Sequence, residues 1–221
     1  MAKKEKISPS VIQRLPRYYR FLRDLDNRGV TCVSSKQLSQ IMGSTAPQVR
    51  QDFNCFGEFG QQGFGYSVAK LREVIEDILG IECHYPAILI GAGNIGTAIA
   101  NQVIFENRCF DLVGVFDKDE NKIGRKIGEI AIRHTDDIED FCSNNSVVTA
   151  ILCVPKEVVE GLADRLYAMG VRSFWNFSHY DLKMKYSDII VENVHLSDSL
   201  MQLCFKINQE QSKQNNSSEN S

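Results

Sequence analysis

The chain has 221 residues, 43% hydrophobic and 24% charged, an ordinary globular composition. No window approaches the ~18 consecutive apolar residues of a membrane helix, and Met1–Lys6 leads into no apolar stretch with a small-residue cleavage site. Neither a membrane span nor an export signal is expected, so the chain reads as cytoplasmic. The seven cysteines are scattered, odd in number and without a Cys-x-x-Cys pair, which points to reduced thiols rather than a disulfide framework or a metal site.

The net charge of −3 hides an asymmetry. Residues 1–70 carry 11 Lys/Arg against 5 Asp/Glu, a net +6, and the remainder 14 against 23, a net −9. A basic head on an acidic body points to nucleic acid at one end.

In chain order, Val11, Leu15, Tyr18, Leu22 and Leu25 recur at helical spacing and predict an amphipathic helix that Gly29 stops. Ser34 or Ser35 can cap a short helix, Lys36–Met42, ended by Gly43. Ser44 or Thr45 can cap the next, with Pro47 tolerated in its first turn. Two short helices joined by a glycine-containing turn read as helix-turn-helix. In that motif the second helix enters the major groove, so Thr45, Gln48, Arg50 and Gln51 are candidates to reach base edges of double-stranded DNA. Ser34, Ser35 and Lys36 are candidates to hold phosphate. The glycines and aromatics after Phe56 predict a loop and a wing, with Gly63, Phe64 and Tyr66 of the wing against a minor groove.

Leu71–Leu79 reads as a helix closed by Gly80, and a boundary falls near His84–Pro86. Five short apolar runs follow: Ala87–Ile90, Leu112–Phe116, Val147–Val154, Ser173–Phe177 and Ile189–Val194. Between them lie helix-like stretches, including Glu157–Met169, and this alternation predicts a parallel sheet covered on both faces. Leu196, Leu200, Leu203 and Ile207 form a stripe on a last helix, after which a Gln/Asn/Ser-rich tail is expected to be disordered. The expected organisation is α/β: a winged-helix domain over 1–83, a Rossmann-like dinucleotide-binding domain over 84–195, a helix over 196–208 and a tail over 209–221.

The sharpest motif is Gly91-Ala92-Gly93-Asn94-Ile95-Gly96, directly after an apolar strand and opening a helix. In a dinucleotide-binding turn Gly91 permits the tight bend, Gly93 lets the backbone approach a pyrophosphate and Gly96 lets the helix pack on the strand. The helix N-terminus then offers free N–H groups to phosphate. Asp117, 26 residues on at a predicted strand end, can accept the ribose hydroxyls. Its neighbour is Lys118, not the arginine that suits a 2′-phosphate, so NAD(H) is preferred to NADP(H). The region after the turn is barely long enough to complete the sheet. None of His84, His134, His179 and His195 has metal-ligand spacing, so binding without turnover is expected.

Taken together, RLPRYYRFL (Arg14–Leu22), Ser34–Ser35, VRQDFNCFGEFG (Val49–Gly60), GFGY (Gly63–Tyr66), GAGNIG, FDKD (Phe116–Asp119), CVP (Cys153–Pro155) and WNFS (Trp175–Ser178) resemble the redox-sensing transcriptional repressors called Rex over about residues 7–207. The resemblance implies a homodimer on operator DNA, released when NADH rises relative to NAD+. It also implies a last helix swapped onto the partner, and Cys153, Val154, Pro155, Asn176 and Phe177 beside the nicotinamide. In the family an Arg, a Tyr and an Asp link redox state to head position. Here Arg14 is kept, but Gln102 stands for the Tyr, His195 for the Asp, and His179 where a Pro is usual. Two rival readings are a divergent repressor with a weak or altered NADH response and a small NAD-dependent oxidoreductase.

Overall fold

The computed structural model describes residues 7–57, 60–61, 65–106 and 109–218. The chain forms two compact units, Met1–Cys83 and His84–Ser221.

The first unit contains α1 (Pro9–Ile12), α2 (Leu15–Asn27), β1 (Cys32–Val33), α3 (Ser35–Met42), α4 (Ala46–Asn54), β2 (Gly60–Gln61), β3 (Gly65–Ser67) and α5 (Val68–Leu79). The stretch expected as one helix from Val11 is broken between α1 and α2. Pro16 has no N–H to donate to the carbonyl four residues back, so the helical ladder restarts there. Local capping sets the next boundaries. Ser34 and Gln37 form a reciprocal capping box at the start of α3, and Gly43 closes it in the left-handed conformation. Thr45 accepts from the Gln48 amide at the start of α4, and Ser67 caps α5. Strands β1, β3 and β2 pair antiparallel in that order. Leu15, Tyr18, Leu22, Leu38, Val49, Phe53, Leu71 and Ile75 are fully buried among these elements.

The second unit is built on one sheet. Its elements are β4 (Tyr85–Ile90), α6 (Asn94–Glu106), β5 (Phe110–Asp117), β6 (Lys126–Ile127), β7 (Ile130–His134), α7 (Ile138–Asn144), β8 (Thr149–Leu152), α8 (Lys156–Ala168), β9 (Ser173–Asn176) and β10 (Ile190–Asn193). The strand order is β10-β9-β8-β4-β5-β7-β6. Every pairing is parallel except the β6–β7 hairpin. Ile88 and Ile90 face one core with Phe116, Ile138 and Leu166, whereas Ala87 and Leu89 face the other with Ala100, Val115 and Ile151. Because both faces are buried, β4 reads as a continuous apolar run. The chain leaves β4 toward β5 on one side and has β8 on the other, so the end of β4 is the crevice where such sheets bind ligands.

The last helix, α9 (Leu196–Ser218), corrects one expectation: it continues through most of the segment read as a disordered tail. Gln, Glu and Lys are good helix formers. The Ser212 hydroxyl also donates to the Asn208 carbonyl, and Lys213 donates to Glu210 one turn away.

Tyr66 corrects another. Expected on the wing's DNA-facing surface, it is buried, with its ring edge-on to Phe53 at 5.0 Å. The short β3 alternates about it, so its side chain points inward. Tyr66→Ala should therefore cost about 3 kcal/mol of stability, read as a lower urea midpoint; a wing contact to DNA would leave that midpoint unchanged.

Candidate functional site

The turn after β4 shows why its glycines stand where they do. Gly91 has φ of 99°, and a Cβ there would lie 2.4 Å from the Cys153 carbonyl oxygen. A Cβ on Gly96 would lie 1.8 Å from the Gly91 oxygen, so α6 can approach only with hydrogen at that position. Gly93 differs: a Cβ there meets nothing within 4 Å. Gly93, Asn94 and Ile95 form the exposed rim of the turn, at the helix start where amides have no acceptor within the helix.

Asp117 ends β5 and is buried. Its Oδ2 accepts from the Ala92 amide at 2.8 Å and from Lys122 Nζ at 2.9 Å, and its Oδ1 accepts from the Asp119 amide at 2.9 Å. Burial pushes its pKa up, but these hydrogen bonds outweigh burial and hold it below the ordinary carboxylate value. An ionised carboxylate offers about four lone-pair sites; Oδ2, the oxygen on the glycine turn, has both of its filled, and Oδ1 keeps one. Lys118 next to it is exposed.

Cys153 and Val154 line the turn, since they are what a Cβ on Gly91 would strike. Burial pushes the Cys153 thiol up to about 12. Pro155 is exposed at the start of α8. Asn176 is not available to a ligand as expected. It is fully buried; its amide nitrogen donates to the Tyr180 carbonyl and to Asn193 Oδ1, and its oxygen accepts from the Ser178 amide and hydroxyl. The residue closes its own loop. Phe177, half-buried, packs against Trp175 with ring centroids 4.8 Å apart. Gln102 is exposed on α6. His195, at the entry to α9, stacks on His179 with centroids 5.0 Å apart and planes 12° apart.

In the first unit the helix-turn-helix residues divide into those that hold the motif and those that it presents. Ser34 and Thr45 are caps. Lys36, Arg50 and Gln51 are exposed, and Arg50 Nη1 donates to Ser35 Oγ at 3.1 Å, joining α4 to α3. Gly63 and Phe64 lie outside the described residues.

The residue the sequence reading missed is Asp52. It is fully buried on α4 and accepts from Arg14 Nε and Nη2, both at 2.7 Å, from Tyr18 Oη at 3.0 Å and from Gln48 Nε2 at 2.8 Å. Burial alone would raise its pKa; the bonds from Arg14, Gln48 and Tyr18 together lower it. Burial and the nearby Asp52 charge in turn push the Tyr18 hydroxyl well above its ordinary range. The signal was an aspartate at a core position of α4, four residues after Gln48.

Comparison with known proteins follows the same division. Residues 6–54 match a family described as "Putative DNA-binding protein N-terminus", and residues 82–180 one described as "CoA binding domain". A protein of Caldicellulosiruptor saccharolyticus named redox-sensing transcriptional repressor Rex is 47% identical over 95% of this chain and 95% of its own length. One of the same name from Thermoanaerobacter pseudethanolicus is 47% identical over 96% and 94%. Among solved structures, the Rex-family repressor RSP in complex with NAD+ and operator DNA is 44% identical, with a TM-score of 0.84 over 98% of this chain and 100% of that one. RSP in complex with NADH gives 42% and a TM-score of 0.85 over 96% and 99%.

Two predictions follow from this geometry. Gly93→Ala should leave thermal stability within about 0.5 kcal/mol of the parent, whereas Gly96→Ala, which drives a methyl into backbone, should cost several times more; thermal unfolding of the two variants separates them. Asp52 contributes its stabilisation fully above its ordinary carboxylate pKa of 3.8 and loses it as pH falls through the lower folded-state value. Arg14→Met leaves that buried charge poorly paired, at a cost of about 3 kcal/mol near neutrality. It should also move the onset of acid unfolding, followed by circular dichroism, to higher pH.

Proposed function

The chain belongs to the Rex family of redox-sensing transcriptional repressors, and from that premise we propose the residues and assembly through which it works. The protein is a repressor that binds operator DNA and NAD(H) and is released from DNA when NADH rises relative to NAD+. The observation that carries the residue-level reading is the open space over Gly93 at the start of α6, in a turn whose Ala92 amide is tied to Asp117. The residues fit a dinucleotide: Gly91, Ala92, Gly93, Asn94, Ile95 and Gly96 take the pyrophosphate, and Asp117, with Lys118 beside it, takes the adenosine ribose. Cys153, Val154, Pro155 and Phe177 border the nicotinamide. When bound, the nicotinamide supplies a difference in charge and ring shape between its oxidised and reduced forms. The chain's own groups hold the phosphates and ribose alike in both forms, so the switch requires contacts that differ between them.

On DNA, Lys36 and the caps around Ser34 and Ser35 hold phosphate, and the first turns of α4, with Thr45, Gln48, Arg50 and Gln51, face the major groove. The working species is a homodimer. Leu196, Leu200, Met201, Leu203, Phe205 and Ile207 of α9 are 47–63% exposed, an apolar surface that a second copy covers by exchange of the last helix. We take the protein to act in the cytoplasm and to bind the nucleotide without turning it over, as a regulator rather than an enzyme.

A second reading, a repressor with an altered NADH response, has specific observations behind it. Arg14 already holds Asp52 bidentately, and His195 stacks on His179 where the resembling family carries a carboxylate. One experiment addresses both. NADH titrated at fixed salt into the protein bound to a palindromic operator should release the DNA, while NAD+ should not; salt is fixed because phosphate contacts make affinity steeply salt-dependent. No release at millimolar NADH removes redox sensing. If the Gln102→Tyr/His195→Asp variant releases at lower NADH than the parent, the altered-response reading holds; equal midpoints dispose of it.

A further inference from the structure

We infer that Gln48 is the specificity-determining residue of α4, and that Asp52 fixes its amide so that it reads adenine. The inference rests on the DNA-binding reading above and deepens it. Gln48 is the third residue of α4, where side chains of a recognition helix reach base edges. Its Nε2 donates to Asp52 Oδ1 at 2.8 Å. Asp52 stays ionised and so only accepts, because Arg14 grips it with two further hydrogen bonds and Tyr18 adds another. A glutamine amide ordinarily turns over to suit its surroundings. Here the carbonyl oxygen cannot face Asp52, since two acceptors would oppose each other, and the buried carboxylate settles which end of the amide points inward.

The groups left over define what Gln48 can read. Its Oε1 has no hydrogen-bond partner among the described residues and is not sealed from solvent. One N–H of Nε2 also remains. An acceptor and a single donor side by side match the N6 amine and N7 of adenine. Guanine presents O6 and N7, both acceptors, and would need two donors; one of Gln48's is already on Asp52. Cytosine and thymine each engage only one of the two groups. The side chain is held in the free protein, so little rotamer freedom is lost on binding. Gln51, by contrast, is exposed, its side chain makes no hydrogen bond among the described residues, and it has no such fixed orientation.

The test uses the full-length chain. Duplexes selected by the parent from a randomised palindromic library should carry adenine at one position per half-site, preferred over the other bases by roughly five- to a hundredfold. In Gln48→Ala that position alone should become indifferent, with the salt dependence of binding unchanged. Replacing the adenine by 7-deazaadenine or by purine, which remove N7 or the N6 amine, should each weaken the parent and leave Gln48→Ala unaffected. These analogues test the pairing without disturbing the fold, which Asp52→Asn would do. If guanine is preferred at the Gln48-dependent position, if no position depends on Gln48, or if the adenine preference follows Gln51 instead, the inference is overturned while DNA binding stands. Failure of the parent to bind any duplex overturns both.

Discussion

The DNA-binding unit is organised around one buried negative charge. Asp52 sits in the core face of α4 and is reached by Arg14 and Tyr18 from the first turn of α2 and by Gln48 from the first turn of its own helix. Burying a carboxylate is costly unless it is paired and hydrogen-bonded, so the ion is tolerated only in the one arrangement of α2 and α4 that brings all its donors together. Hydrophobic packing of Leu15, Leu22, Val49 and Phe53 would accept small slips of one helix along the other; the bidentate arginine would not. The consequence is a fixed angle between α2 and α4, the helix proposed above to face the major groove.

The nucleotide-binding unit uses the same device for a different end. Asp117 ties the Ala92 amide of the glycine turn to the end of β5 and to Lys122. The turn is therefore braced from one side by a carboxylate and from the other by the Cys153 carbonyl, which passes close to Gly91. The turn at Gly93 is thus held in shape by contacts within the protein. In both units an acid next to a rigid element supplies geometry before it supplies any contact to a ligand.

What was legible in the sequence were features whose physics is local. The glycine turn announces itself because Gly91 and Gly96 have no alternative, and the apolar runs of β4, β5 and β8 follow from a sheet buried on both sides. Capping at Ser34 and Thr45 was readable for the same reason. The break before α2 was missed because hydrophobic spacing runs through it and only Pro16 interrupts the ladder. The β6–β7 hairpin was missed because β6 has only two residues and the apolar part of β7, Ile130–Ile132, is too short to stand out as a run. Asp52 and Asn176 were misjudged because their roles come from partners distant in sequence or hidden in a loop: Arg14 lies 38 positions away, and no periodicity encodes that pairing. Tyr66 looked DNA-facing because it closes a glycine-rich stretch, yet its strand turns it inward onto Phe53.

The Cys153 thiol has a consequence of its own. With its pKa pushed up to about 12 by burial, the thiol stays protonated at neutral pH. Hydrogen peroxide and disulfides react with the thiolate, so the sulfur bordering the Gly91 turn is close to inert toward them. At this position burial favours a sulfur that packs against the turn over one that reacts.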